Sequence, residues 1–182
     1  MFLHKLVKTL KVMKNQTIAN FKYRLLAIPA LVIVFSCNYS KPQLTPIEIG
    51  HVQGKVNKLM NSIAADVLAK GPSAWLNYLQ DTSYFFMADN GQLAFKDYKS
   101  AVKFVQDTLV KSMPKVNLKW SNIRIDPLTD NIASIGADYH EDVTDTAAKV
   151  NSLNGYFTAT AVQVNDEWKL RNMHWSDIPA KK

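Results

Sequence analysis

Cysteine is nearly missing from this chain: there is one in 182 residues. That excludes an intramolecular disulfide framework and a cysteine-rich zinc site. Six glycines and seven prolines are too few for a collagenous or low-complexity protein. Acidic residues are absent from the first 36 positions, which carry six basic ones: Lys5, Lys8, Lys11, Lys14, Lys22 and Arg24. That stretch accounts for most of the formal charge of +7, because the 16 basic and 15 acidic residues that follow nearly cancel. A nearly neutral body lacks the field that draws proteins to phosphate backbones, so no nucleic-acid partner is expected. No GxSxG elbow, P-loop, GxGxxG or HExxH occurs either.

What is present begins with an apolar run, Leu25 to Phe35, behind the basic stretch. It is shorter than the roughly 20 residues of a membrane-spanning helix and fits the apolar region of a secretory signal. Met13 is an alternative start that leaves a more ordinary leader. Val34-Phe35-Ser36-Cys37 resembles the lipobox of bacterial lipoproteins, with Phe35 as a departure from the small residue usual there. The resemblance implies cleavage of residues 1–36 and lipidation of Cys37, hence anchorage in the cell envelope, periplasmic or outer-membrane associated. Two or three acyl chains hold stably where one is marginal. Residues 37–46, polar with Pro42 and Pro46, read as a lipidated tether.

The body, residues 47–178 with a tail at 179–182, starts as a helix. Thr45 and Glu48 have capping-box spacing, and Ile49, Val52, Val56, Leu59, Met60, Ile63 and Val67 recur at threes and fours. Gly71-Pro72 stops it, and Ser73 is placed to cap a short second helix carrying Trp75. An aromatic strand from Ser83 to Ala88 precedes a turn at Asp89-Asn90-Gly91. Asp97 or Ser100 opens another helix that ends near Met113-Pro114. Period-two alternation then predicts four antiparallel strands. The first switches parity between Trp120 and Ile123, which predicts a β-bulge near Ser121-Asn122. This order is α+β, a bent antiparallel sheet with helices on one face.

Trp75, the Asp89-Asn90-Gly91 turn, Tyr98 to Phe104, Ile132-Ala133, Gly155-Tyr156-Phe157-Thr158, Glu167-Trp168-Lys169-Leu170 and His174-Trp175-Ser176 together resemble the nuclear transport factor 2-like superfamily, in its SnoaL-like and ketosteroid isomerase-like branches. The resemblance implies a cone-shaped roll, cystatin-like in outline, whose sheet wraps helices around a pocket. It also implies that homodimers through the outer sheet face are common. Isomerases, cyclases, dehydratases and protein-binding modules share this fold, so fold alone does not name an activity.

Alternation assigns the faces. On the strand from Ile132, Ala133, Ile135, Ala137, Tyr139 and Glu141 are placed inward. On the next, Tyr156, Thr158, Thr160, Val162 and Val164 are placed inward, and on the last, Trp168, Leu170, Asn172, His174 and Ser176. The expected pocket lining is therefore Trp75, Tyr84, Trp120, Tyr139, Tyr156, Thr158, Asn172, His174 and Ser176. The competing role for His174 is structural, bonded to a helix end or to Tyr139. His140, Glu141, Asp142 and Asp145 are dense in possible metal ligands, and Asp138, His140 and Asp142 project together, but two carboxylates and one histidine on an exposed strand read more readily as a solvated face, and neither metal nor cofactor is expected. The favoured function is an anchored domain that binds a small apolar molecule or a partner protein without catalysis. The alternative is an isomerase, cyclase or dehydratase. Proton transfer needs a carboxylate base and a hydrogen-bond donor; Glu141 and Asp81 are the candidate bases, and Tyr84, Tyr139 and Tyr156 the candidate donors. A buried carboxylate opposite a tyrosine favours the enzyme.

Overall fold

The computed structural model describes residues 43–179, so the expected leader and Cys37 lie outside the described residues. Helix α1 (Pro46–Lys70) begins as its sequence dictates. The Thr45 amide donates to the Glu48 carboxylate at 2.7 Å and the Glu48 amide donates to the Thr45 hydroxyl, a closed capping box with Pro46 in the first turn. Its apolar stripe, Val52, Val56, Leu59, Met60, Ile63 and Val67, is buried. The helix stops at Gly71, whose φ of 78° suits glycine and whose Cα approaches the Pro114 carbonyl so closely that a Cβ would lie 3.1 Å from its oxygen. A 3-10 turn (Pro72–Asn77) follows, entered at Pro72 without a side-chain cap, so Ser73 does not take the capping role expected of it.

Strands β1 (Phe86–Asp89) and β2 (Gln92–Phe95) form a hairpin over Asn90-Gly91. The aromatic segment enters its strand three residues later than predicted, and β2 was too short to show a period. Asp97 caps α2 (Tyr98–Phe104), with Ser100 completing a reciprocal box. The helix runs on through a π-helical turn (Val105–Leu109) into α3 (Val110–Ser112). Four long strands complete the chain: β3 (Lys115–Thr129), β4 (Ile132–Thr144), β5 (Val150–Val164) and β6 (Glu167–Asp177).

The sheet order is β2-β1-β6-β5-β4-β3. All neighbours are antiparallel except β1 and β6, which run parallel. The sheet curls around α1 without closing. Part of the bend is the predicted bulge: the β3–β4 register slips between Ser121 and Arg124, with Asn122 at φ 51°. Helix α1 lies antiparallel to β3. The Gln53 side chain donates to the Ile125 carbonyl near one end, the Trp120 indole donates to the Met60 carbonyl midway, and Gly71 meets Pro114 at the other.

Face assignments held on β4, where Ala133, Ile135, Ala137, Tyr139 and Val143 are buried. They are reversed on β5 and on the second half of β6. On β5, Gly155, Phe157, Ala159 and Ala161 face the core while Tyr156 and Thr158 are exposed. Apart from Phe157 the inner residues there are small, Gly155 leaving room for the Tyr139 ring, so hydrophobicity pointed the wrong way. On β6, Trp168 and Leu170 face inward as expected. Then Leu170 pairs with Ala161 while Asn172 pairs with Thr160, leaving Arg171 as an extra residue. That bulge flips every later side chain: Met173 and Trp175 turn inward, whereas Asn172, His174 and Ser176 turn outward.

Candidate functional site

A cavity of about 260 Å³ lies between the concave face of the sheet and the α2–α3 helix. Trp75, Phe95, Phe104, Leu109, Met113, Met173 and Trp175 give it apolar walls, and the π-helical turn supplies Val105 and Leu109. Such turns widen a helix by one residue and recur at functional sites. Phe104, Met113 and Leu153 line the cavity and are each more than a third exposed, which marks its mouth.

Four polar side chains reach this cavity: Tyr139 and Glu141 from β4, Asp177 from β6 and Asp89 from β1. The sheet's period places them. Tyr139 and Glu141 are successive inward residues, and Asp177 continues the inward row Met173–Trp175 once the bulge at Arg171 has passed. Gly155 stands opposite Tyr139 and leaves room for its ring; a Cβ there would lie 2.6 Å from the tyrosine Cε1.

The Tyr139 hydroxyl donates a hydrogen bond to Asp177 Oδ1. Asp177 Oδ2 accepts from the Asn90 side-chain amide at 2.8 Å, and the Asp177 backbone amide donates to Asn90 Oδ1 at 2.8 Å. Burial first, then this bond and the Asp177 charge, push the Tyr139 phenol well above the ordinary tyrosine range, so it stays a neutral hydroxyl. Burial, and second the Asp177 charge, push the Glu141 carboxyl up to about 7. Asp89, at the rim, is also raised, by partial burial and by Asp177, with His174 partly offsetting both. Among the described residues no hydrogen bond or ion pair engages Glu141. A carboxyl poised near neutrality, with both its forms populated, can take and return a proton. Among the described residues no Lys, Arg or His lines the cavity, and no group of three or more metal-ligating side chains gathers.

Of the nine residues expected to line a pocket, Trp75 and Tyr139 do so. Trp120 stands behind the wall, 5.7 Å from Trp175 between ring centroids. Tyr84 is 71% exposed, with the Arg171 guanidinium 5.4 Å from its ring. Tyr156, Thr158, Asn172, His174 and Ser176 lie on the convex face, where Tyr156 pairs with Ser176, and Thr158 with His174. His174 makes no bond to Tyr139, whose hydroxyl is taken by Asp177. Of the candidate bases, Glu141 is in the cavity and Asp81 is exposed outside it. Sequence reasoning missed Asp89, Asn90 and Asp177 as functional residues. Asp177 reaches the cavity only because the bulge at Arg171 reverses the faces of β6; the expected parity placed it outward.

No family model and no curated protein matches the chain by sequence. Solved structures do match. A nuclear transport factor 2-like superfamily protein from Salmonella enterica serovar Typhimurium superposes with a TM-score of 0.61 at 16% identity, covering 73% of this chain and 94% of that one. A putative scytalone dehydratase from Novosphingobium aromaticivorans gives 0.60 at 14% identity, covering 70% and 84%. A hexachlorocyclohexane dehydrochlorinase, LinA-type3, from Novosphingobium barchaimii gives 0.57 at 9%, covering 75% and 97%. At such identities the likeness is one of architecture, and on that ground the chain has the nuclear transport factor 2-like fold.

Proposed function

We propose that the domain binds a small apolar molecule in the concave cavity and moves a proton on it, with Glu141 as the acid–base group. The observation that carries this reading is the unpaired Glu141 carboxyl, raised to about 7 in an apolar cavity beside the Tyr139–Asp177 pair. A partly buried Glu141 carboxyl on the same strand face as Tyr139 supports the enzyme alternative over the binding module favoured on sequence. The names of two structural neighbours, a dehydratase and a dehydrochlorinase, denote eliminations, which begin with the same demand for a base.

In this scheme the Glu141 carboxylate takes a proton from a carbon made acidic by a neighbouring group. It becomes the neutral acid that its dry surroundings favour. It then returns the proton to another carbon or to a leaving group. Tyr139 is not the base, because its phenol is held neutral. With its O–H donating to Asp177, the Tyr139 oxygen has lone pairs free to accept from a hydroxyl or amide on the ligand. Such a contact would orient the ligand.

The test is deuterium uptake. Ligands recovered from the purified protein by mass spectrometry are incubated with it in heavy water. Wild type is expected to convert them or exchange a carbon-bound hydrogen, and Glu141→Gln to slow this by about 100-fold or more while still retaining the ligand. Retention of ligand with neither conversion nor exchange in wild type would leave binding alone. The lipid anchor belongs to the same proposal. Cys37→Ser is expected to move the protein from the membrane fraction to the soluble one, and continued membrane retention with the leader removed would refute lipidation.

A further inference from the structure

We propose that Asn90 is the positioning residue of this site: its side chain locks Asp177 in place, and Asp177 in turn fixes the hydroxyl of Tyr139 on the cavity wall. The inference rests on the proton-transfer reading above for its catalytic meaning, but not for its geometry.

Three hydrogen bonds carry it. The Asn90 Nδ2 donates to Asp177 Oδ2 at 2.8 Å, and the Asp177 amide donates back to Asn90 Oδ1 at 2.8 Å. The Asn90 backbone amide donates to the Trp175 carbonyl at 2.9 Å. The side chain therefore meets one residue twice, through a donor and an acceptor that only an amide of this length supplies together. The backbone supports the arrangement. Asn90 sits at φ 47°, a left-handed turn that asparagine tolerates better than most residues, and β1 runs parallel to β6 up to the Asp89–Trp175 pair. The hairpin tip is thereby pinned over the end of β6.

Without the clamp the Asp177 carboxylate would be held by the Tyr139 hydroxyl alone and would be free to rotate about its side-chain bonds. With it, one carboxylate oxygen is occupied and the other is left for Tyr139. Asparagine touches neither the cavity nor a ligand placed in it, since it is absent from the lining. Its influence passes through Asp177.

The titration of the Tyr139 phenol in the ligand-free full-length chain reads this directly, followed by carbon-13 NMR of labelled tyrosine with Tyr139→Phe assigning the signal. The charged groups acting on that phenol are Asp177 from β6, Glu141 from its own strand and Asp89 from β1. Asp177→Asn sets the reference shift downward, toward the ordinary tyrosine value. Asn90→Gly keeps the left-handed turn and removes only the side-chain bonds. It is expected to produce at least half of that reference shift, to expose the Asp177 amide to hydrogen exchange, and to slow proton transfer about tenfold with ligand affinity unchanged. Asn90→Asp keeps the acceptor for the Asp177 amide and replaces the donor by an oxygen, so the exchange protection stays while proton transfer falls. A Tyr139 titration in Asn90→Gly identical to wild type would overturn the proposal. A shifted titration with no proton transfer on any ligand would instead sustain the clamp and refute the proposed function.

Discussion

Glu141 and Asp142 are adjacent in sequence and sit on opposite faces of β4, and their carboxyls behave in opposite ways. On the convex face Asp142 accepts from the Ser152 hydroxyl at 2.6 Å and lies 3.2 Å from His140 Nε2. The Ser152 bond, followed by the His140 charge, holds its carboxyl below the ordinary aspartate range. On the concave face Glu141 has neither kind of partner among the described residues and is pushed up to about 7. The convex face is a network that satisfies its own polar groups in water. The concave face is largely apolar, and among the described residues its Glu141 and Asp89 carboxyls have no hydrogen-bond partner, so a ligand can supply one.

The difference can be broken most severely through its glycines. A Cβ on Gly155, which faces inward, would strike the Ser176 backbone carbonyl and come within 2.6 Å of the Tyr139 ring. Backbone cannot move aside cheaply, so Gly155→Ala is expected to cost about 3 kcal/mol or more. A Cβ on Gly136, which faces outward, meets the Tyr156 hydroxyl at 2.5 Å, the end of a side chain that can swing away, and Gly136→Ala should cost under about 1 kcal/mol. Urea unfolding of both variants checks the contrast, and equal losses would erase it.

Acidity offers the next largest effect. The Glu141 carboxyl titrates higher folded than unfolded, so the folded state binds its proton more tightly. Stability is then greatest below the unfolded value of 4.5 and declines as pH rises from there to about 7, by an amount on the order of 3 kcal/mol. Glu141→Gln should flatten that decline. Asp142 has the opposite sign: its contribution is present above 3.8 and is lost as pH falls through its lowered folded value. Asp142→Asn should therefore alter only the acid limb. Thermal unfolding between pH 3 and 8 separates the two; one shared pH range for both variants would contradict the face-by-face account. The smallest effect belongs to His174→Ala, on the convex face. It should change stability by less than about 0.5 kcal/mol and leave ligand retention unchanged.

Much of this architecture is legible in the residues. The capping box at Thr45, the stop at Gly71 and the bulge announced by the parity of Trp120 and Ile123 are local chemistry, and each stands where it was expected. The inward position of Tyr139 and Glu141 follows from an uninterrupted period of two along β4. The bulge at Arg171 left no such trace, because Trp168 and Leu170 establish a parity that Asn172 continues with a plausible polar residue. The alternation of β5 was misread for another reason: three of its four core positions are a glycine and two alanines, while Val162 on the other parity is itself buried. Five of the expected pocket residues fell outside on these two counts. Asn90 and Asp177 are 87 positions apart, and no local pattern joins a turn to a strand end at that distance.

The direction of α1 has a practical consequence. Its first residue lies two turns before Gln53, which bonds Ile125 in the far half of β3, and its last precedes Gly71, which meets Pro114 near the Met113 that helps frame the opening. At about 1.5 Å per residue, its 25 residues put roughly 37 Å between the two. A bead or sensor chip coupled just ahead of Thr45 would therefore hold the domain far from the cavity mouth and leave candidate ligands an unobstructed approach.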